Sequence, residues 1–513
     1  MNNYYIDSNS KAAGNGSITA PFQSLSDFFA LSSVSHPVTL NLKRGSVFVG
    51  NFEDTSKLLY NQTNDMSYIT SYGDPSLGMP VITRQSTTKQ SFCTRKVRNL
   101  TVEDDICFFH DQKSELIRIA PCGLSSTDRS ANVWFKSLVM GSPGTIPGYR
   151  SDSGTDYCMY MQQNPQDGTT NLVGDFWGMD GARFDNLIRG CWLLGMGGGS
   201  NGGLQDFTGQ SKGVQAKNCS FTRIGMDFCV LSGISSNLDP KYQGVDEYTS
   251  GIWNCRGSGL TLAGQMTYSV AFWWSGCHQL HVHDNTVVGI GPSKTDRQPF
   301  DFDVRSWNCL VEDCYSAGCG GGSVMAVTWA SQTTAKPDSE TDDDWYVKKM
   351  FGNGNNTIRN CTSFNDGIDK YKISTQGIVY NFMIENMTII DTQSTKAIII
   401  NVNASSPGIN STDPLWGTKI NNSIFHYTNV SEYARTWDTA SVANSQKLSV
   451  FTKNNLYFNG LAPTAMPSAS DGGSNTYVDS QFAFLPESQP SSQSQAKLLI
   501  PVTSSPAFGL GNS

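Results

Sequence analysis

Charge is scarce in this chain of 513 residues: Asp, Glu, Lys and Arg together make up 16%. Lys and Arg form no stripe and the formal net charge is −8, so nucleic acid is not an expected partner. No apolar run approaches the ~20 residues of a membrane-spanning helix, so membrane insertion is not expected. The first residues, MNNYYIDSNSKAAGNG, lack the basic-then-apolar order of an export leader. The thirteen cysteines are odd in number and resemble neither a disulfide framework nor a zinc site in spacing. GMGGGSNGG and GCGGG lack the Lys-Ser/Thr that completes a phosphate loop and read as tight turns. No leucine register or 3.6-residue period runs through the chain, which excludes leucine-rich and helical repeats.

Gly, Asn, Ser and Thr are abundant instead, a composition suited to short strands joined by turns. A small unit keeps returning: an apolar residue, a spacer, Asn or Asp, then Cys, Asn, Met or Ser. It appears as IRGCW (Gly190 in the anchor place), AKNCS (Asn218), IWNCR (Asn254), VHDNT (Asp284), VEDCY (Asp313) and IRNCT (Asn360). It continues as IENMT (Asn386), INNSI (Asn422) and TKNNL (Asn454). Successive anchors lie 28, 36, 30, 29, 47, 26, 36 and 32 residues apart. A period in the high twenties, stretched by insertions, is that of a solenoid with loops leaving its turns. Asn at equivalent turns can stack as an amide ladder, so the expected fold is an all-β parallel β-helix. Cys191, Cys219, Cys255, Cys314 and Cys361 follow anchors and are expected as stacked, buried free thiols. Burial of the repeat also argues against glycosylation at the Asn218, Asn360 and Asn386 sequons.

Residues 1–40 read as an N-terminal cap, with a strand at Tyr4-Tyr5-Ile6 and a brief helix from Ser24 to Leu31, N-capped by Ser24. Residues 41–458 read as the β-helix, with the alternating strand Val38 to Leu42 leading into it. The Pro/Ser-rich residues 459–513 read as a C-terminal tail or assembly region. Insertions at 233–248, 292–299 and 330–349 are expected as loops on a rigid scaffold, where substrate contacts are commonly placed.

The chemistry is expected at Phe300-Asp301-Phe302-Asp303. In a strand, period-two alternation turns both rings to one face and both carboxylates to the other, towards solvent. A solvated strand face is the plain explanation. The sharper one is a general acid and a general base, their carboxyls roughly 6–8 Å apart by strand geometry, within the separation used by inverting glycosidases. Glu247, beside Asp246 in an inserted loop, is a further catalytic candidate, and Asp227 repeats the apolar–acid–apolar pattern earlier in the chain. Trp273 and Trp274 precede the pair by one coil. Alternation makes Trp273 the exposed one, a platform for the apolar face of a sugar, unless both rings pack in the core. Trp307, Trp329, Trp345 and Tyr346 are weaker candidates of the same kind. Arg297, with Lys294 and Arg305, offers charge to an acidic sugar. His281 and His283 share a strand face. They lack a convincing third ligand for zinc, and serve a rival mechanism in which a histidine removes a proton from a uronate. Asp342–Asp344 lack the spacing of a calcium loop. No metal or cofactor is expected.

Three stretches carry a family resemblance: YYIDSNSKAAGNGSITAPFQSL, VTLNLKRGSVF and FDFDVRSWNCLVEDCYSAGCGGG. With them the chain resembles the pectate-lyase-like superfamily of right-handed parallel β-helices, and within it most resembles bacteriophage tailspikes. That resemblance implies a depolymerase of bacterial capsule or O-antigen, assembled as a homotrimer on a virion tail. It would be made in the host cytosol and act outside the cell. A polysaccharide lyase and a non-enzymatic adhesin remain the alternatives.

Overall fold

The computed structural model describes residues 2–12, 14–56, 58–83, 91–94, 97–109, 117–119, 131–141, 157–162, 177–187, 189–195, 213–234, 249–259, 270–291, 297–327, 339, 353–376, 379–396, 398–403, 417–430, 437–438 and 449–458. They fall into two compact units, the first ending at Gly251 and the second beginning at Ile252. Both are built from coils of a right-handed parallel β-helix. Each coil contributes one short strand to each of three parallel sheets. In the second unit one coil runs through Leu310–Glu312, Tyr315–Ala317 and Val324–Val327, in the first, second and third sheet respectively. The next runs through Thr357–Arg359, Thr362–Phe364 and Tyr371–Gln376, paired residue for residue with the one before. The first unit repeats the plan, for example with Trp177–Asp180, Arg183–Asp185 and Arg189–Leu194.

The first unit opens with the strand Asn2–Ile6, parallel to Val38–Lys43. The helix between them is Leu25–Phe29, shorter than the sequence suggests. Ser24 caps it as expected: its hydroxyl accepts from the Asp27 amide at 3.3 Å, and the Asp27 carboxylate accepts from the Ser24 amide at 2.9 Å. Its apolar side is buried, with Phe28 edge-on to Tyr4 and Phe29 against Phe92.

The recurring Asn/Asp explains the coil. Asn218, Asn254, Asp284, Asp313, Asn360, Asn386, Asn422 and Asn454 all have φ between 51° and 55°. Each is the first residue of the two-residue corner between the first and second strands of its coil. This is the left-handed region, which costs most L-residues roughly 1–2 kcal/mol and which Asn and Asp tolerate best. One rung of an amide ladder joins two anchors: Asn386 Nδ2 donates to Asn360 Oδ1 at 3.1 Å, whereas Asn218 Nδ2 donates to Asp180 Oδ1 at 2.7 Å. Gly190 is the exception. It lies inside the strand Arg189–Leu194, and the corner of its coil holds Gly181, at φ 70°. Cys191 is therefore not stacked on the corner cysteines but faces Cys229 in register in the third sheet. Glycine anchored that alignment falsely, because a lone glycine fits a strand beside a bulky ring as well as a turn. Here a Cβ on Gly190 would meet the Phe228 carbonyl at 2.1 Å.

Asn386→Ala should therefore cost about 2 kcal/mol, combining left-handed strain with a lost hydrogen bond, whereas Asn386→Gly should cost clearly less. Urea midpoints check this, and equal losses for the two variants would count against corner strain as the reason for the repeat.

The residue after each anchor points inward. Cys219, Cys255, Asn285, Cys314, Cys361, Met387, Ser423 and Asn455 are all buried. Where the side chain is polar it serves the backbone: Asn285 Oδ1 accepts from the Cys255 amide at 2.9 Å, and its Nδ2 donates to the Ile252 carbonyl at 2.9 Å. All twelve described cysteines are free, and ten are buried. Burial pushes the Cys309 thiol up to about 12 and holds Cys319 and Cys361 well above their ordinary value. A thiol reagent should thus label Cys93 and Cys107 slowly in native protein and the ten buried cysteines only after denaturation. Rapid native labelling of most thiols would contradict this packing.

Inside the second unit, polar groups replace hydrocarbon between the second and third sheets. Asp366 accepts from the Cys319 amide at 2.7 Å, from the Ser363 hydroxyl at 2.7 Å and from the Ser316 hydroxyl. Burial outweighs these bonds and pushes its carboxyl up to about 6, from 3.8. A folded-state value above the unfolded one means that protonation favours folding. That contribution is complete below pH 3.8 and lost as pH rises through about 6. The shift corresponds to about 3 kcal/mol. Asp366→Asn should remove this loss, so the variant should gain stability relative to wild type between roughly pH 4 and pH 7. Parallel stability–pH curves for the two proteins would contradict the assignment.

Candidate functional site

The strand Phe300–Phe302 belongs to the third sheet of the second unit, between Phe272–Ser275 and Val324–Val327. Its rings point inward as the alternation requires. Phe300 stacks on Phe272 at 6.3 Å, while Phe302 meets Trp274 at 4.8 Å and Phe382 at 5.3 Å, and both phenylalanines are essentially inaccessible. Asp301 leaves the strand on the opposite side, level with Trp273 on one neighbouring strand and Met325 on the other.

One expectation fails here. Asp301 is not presented to solvent: it is only 5% exposed, and Met325 beside it 3%. Alternation determines the side on which a side chain leaves the strand, not whether that side is open. With large side chains on both adjacent rungs, a short Asp is enclosed. Asp303 is partly exposed and lies just past the strand end, although its amide still pairs with the Trp274 carbonyl at 3.0 Å. Its Oδ1 accepts from the Val304 amide at 2.7 Å, and the Ser306 hydroxyl donates to its carbonyl at 2.6 Å. Asp303 thus also shapes the corner into the next coil. Asn353, from that next coil, donates to the Phe302 carbonyl.

The tryptophans divide as alternation predicts. Trp273 faces outward and is partly exposed, whereas Trp274 is fully enclosed against Phe302. Trp274 is therefore corrected from a substrate contact to a core residue, since an inaccessible ring cannot stack on a sugar. Trp307 is likewise interior, at 1% exposure. Arg297, four residues before Asp301, is also enclosed. Its guanidinium donates to the Gly291 carbonyl, and burial lowers its pKa to about 10. In this conformation it braces the loop end and does not reach outward. Arg305 is buried too, with φ at 62°. Glu247, Asp246, Lys294, Trp329, Asp342–Asp344, Trp345 and Tyr346 lie outside the described residues, as does the 459–513 tail.

Asp227 belongs to the first unit. It sits in the bend before the strand Cys229–Ser232, buried, with Arg189 Nε 3.3 Å from its carboxylate. Its local pattern imitates the Phe300 strand without being a strand.

His281 and His283 are brought together, but on another sheet. Their strand, His281–His283, pairs with Leu310–Glu312 in the first sheet of the second unit. The rings lie 4.2 Å apart, and His283 stacks on Trp253 at 5.6 Å. His281 Nε2 is 2.7 Å from Glu312 Oε1, while Arg359 donates through Nε to Glu312 Oε2, also at 2.7 Å. Burial, with His283 adjacent, lowers the His281 pKa against the opposing pull of Glu312. Burial would raise Glu312, but Arg359 and His281 together hold it below its ordinary value. The arrangement is an imidazole oriented by a carboxylate that an arginine keeps ionised. Sequence reading missed Glu312 and Arg359. The signal was available, because His283, Glu312 and Arg359 each immediately precede an anchor and so fall in one row.

Among the described residues no group of three or more His, Cys, Asp or Glu is arranged to hold a metal ion. No described helix is long and apolar enough to cross a membrane.

No protein-family model and no curated protein matches the chain. Solved structures do. A GH136 lacto-N-biosidase from Eubacterium ramulus is 14% identical over 78% of this chain, with a TM-score of 0.48, and the match spans only 65% of that protein's length. The catalytic domain of a GH87 α-1,3-glucanase, in complex with tetrasaccharides, is 9% identical over 91% of this chain and 68% of its own, with a TM-score of 0.40. A rhamnogalacturonan lyase is 10% identical over 95% of this chain and 92% of its own, with a TM-score of 0.36. These similar structures are thus a biosidase, a glucanase and a lyase.

Proposed function

We propose that this protein is a depolymerase that hydrolyses the glycosidic bonds of a bacterial surface polysaccharide, capsule or O-antigen. The observation that carries the reading is Asp301: a carboxyl on the outward side of its strand, enclosed between Trp273 and Met325, with Asp303 two residues on. A carboxyl walled by an indole and a thioether is a setting in which enzymes place a general acid. The more open Asp303 is suited to activating water, which completes the acid/base pair of an inverting glycosidase. Trp273, partly exposed beside Asp301, offers its ring to the C–H face of the sugar being cleaved. In this reading the chain works as a virion-borne homotrimer, made in a host cytosol and acting outside the cell. The free buried thiols support synthesis under reducing conditions, and light scattering should return the mass of three chains.

A lyase is the second reading, supported by the Glu312-oriented His281, a neutral base of the kind that removes a proton next to a carboxylate. One assay separates the possibilities. Purified capsular and O-antigen polysaccharides are incubated with the protein and their size followed by gel filtration. Shorter chains with new reducing ends, and no rise in ultraviolet absorbance, are the expected result. Shortening with conjugated uronate absorbance would replace the hydrolase by the lyase. Binding without shortening would leave an adhesin.

A further inference from the structure

The first unit carries a second feature on the outward side of its third sheet. The strands Ile117–Ile119, Tyr157–Gln162 and Arg189–Leu194 are adjacent and parallel, with Arg118, Tyr160 and Trp192 in register. Their strand neighbours Ile117, Ile119, Met159, Met161, Cys191 and Leu193 are buried, so these three side chains leave by the other face. The Arg118 guanidinium lies over the Tyr160 ring, 5.2 Å from its centroid. On the other side of Tyr160, Trp192 stands at 88° to it with centroids 5.5 Å apart.

The indole orientation is set by a further contact. Trp192 pairs with Val230 on the next strand, yet its Nε1 donates to the Ser232 hydroxyl, two residues beyond, at 3.2 Å. An outward side chain that bonds its diagonal neighbour lies across the strands and does not stand up from them. One ring face is then turned to the sheet and the other outward. Tyr160 and Ser232 are buried while Arg118 and Trp192 are partly exposed, so the accessible part is an indole face flanked by a guanidinium.

We propose that Arg118, Tyr160 and Trp192 form a saccharide-binding subsite, in which a pyranose ring stacks on the outer face of Trp192 and a hydroxyl or carboxylate of the glycan bonds Arg118. The inference rests on the polysaccharide reading above, but concerns residues in another unit from Asp301. The chemistry favours a sugar over a protein. Three rungs span about 10 Å at the usual strand spacing, whereas a stable protein interface needs about 800 Å² from each partner. An indole face with a planar donor two rungs away, across Tyr160, matches the apolar C–H face of a pyranose and a polar group further along the glycan. Sequence reading passed over Tyr160, whose strand has no repeat anchor, and met Trp192 only as the end of IRGCW, behind the falsely assigned Gly190 anchor.

The test is affinity gel electrophoresis with purified capsular and O-antigen polysaccharides cast in the gel. It uses Asp301→Asn protein so that the polymer is not shortened during the run. Adding Trp192→Ala should weaken retardation about 10-fold or more in polymer concentration, the loss of one stacking contact. Trp192→Phe, which keeps a ring, should lie between. Matching melting curves for the variants show that a loss is not unfolding. Retardation unchanged by Trp192→Ala overturns the subsite and leaves the polysaccharide reading standing. If no polymer retards the Asp301→Asn protein, the subsite and the polysaccharide reading fall together.

Discussion

Asp301→Asn is expected to cut polymer cleavage about 100-fold or more, the usual lower scale for losing general acid–base assistance. Asp303→Asn should do the same. The amide has nearly the shape of the carboxyl, and that is the ground for expecting the fold to survive. Relief of repulsion between solvated charges is not, because Asp301 is enclosed. Asp303→Asn keeps an Oδ1 able to accept from the Val304 amide, as Asp303 Oδ1 does, and a melting curve beside its rate checks that the corner is intact. His281→Ala provides the contrast. It should reduce a hydrolase far less than either Asp change, but should abolish a lyase whose base is His281. Near-normal cleavage by both Asp variants would remove the pair from the mechanism and leave the His281–Glu312–Arg359 group as the next candidate.

Lys372→Met should destabilise the second unit by about 3–5 kcal/mol, the typical cost of removing one partner of a buried ion pair. Lys372 and Asp391 are inaccessible, and Lys372 Nζ donates to the Asp391 carboxylate. It also donates to the carbonyls of Asp366 at 2.6 Å and Gly367 at 3.1 Å, so all three ammonium protons have acceptors. Burial would raise Asp391, but Lys372 and Ser394 together hold it below its ordinary value. Methionine preserves most of the stem volume and leaves Asp391 with a buried, uncompensated charge. Lys372→Met with Asp391→Asn removes that charge and should recover much of the loss. A urea midpoint for Lys372→Met within about 1 kcal/mol of wild type would show that the pair is not the tie it resembles.

Both expectations depend on a placement that strand alternation alone does not give. Alternation correctly sent Phe300, Phe302 and Trp274 inward and Trp273 and Asp301 outward, because the side-chain period of a strand is a local property. It was silent on enclosure. Whether an outward position is open depends on Met325, which comes from another coil. The histidines illustrate the same limit. Their shared face was legible at i, i+2, but their separation from Asp301 onto another sheet follows from the three-strand plan of each coil.

The sequence by itself determined the coil: Asn and Asp recur because one corner of each turn needs a left-handed residue, a requirement met within one position of the chain. It also determined the buried thiols beside those corners, since the residue after the anchor must point inward. Only the tertiary structure decided which polar residues meet. Glu312 reaches His281 across 31 residues and Arg359 reaches Glu312 across 47. Lys372 and Asp391 likewise come together from successive coils. Such pairs depend on the lengths of the intervening loops, which set how many residues separate stacked rungs, and irregular insertions erase that spacing from any single-sequence period.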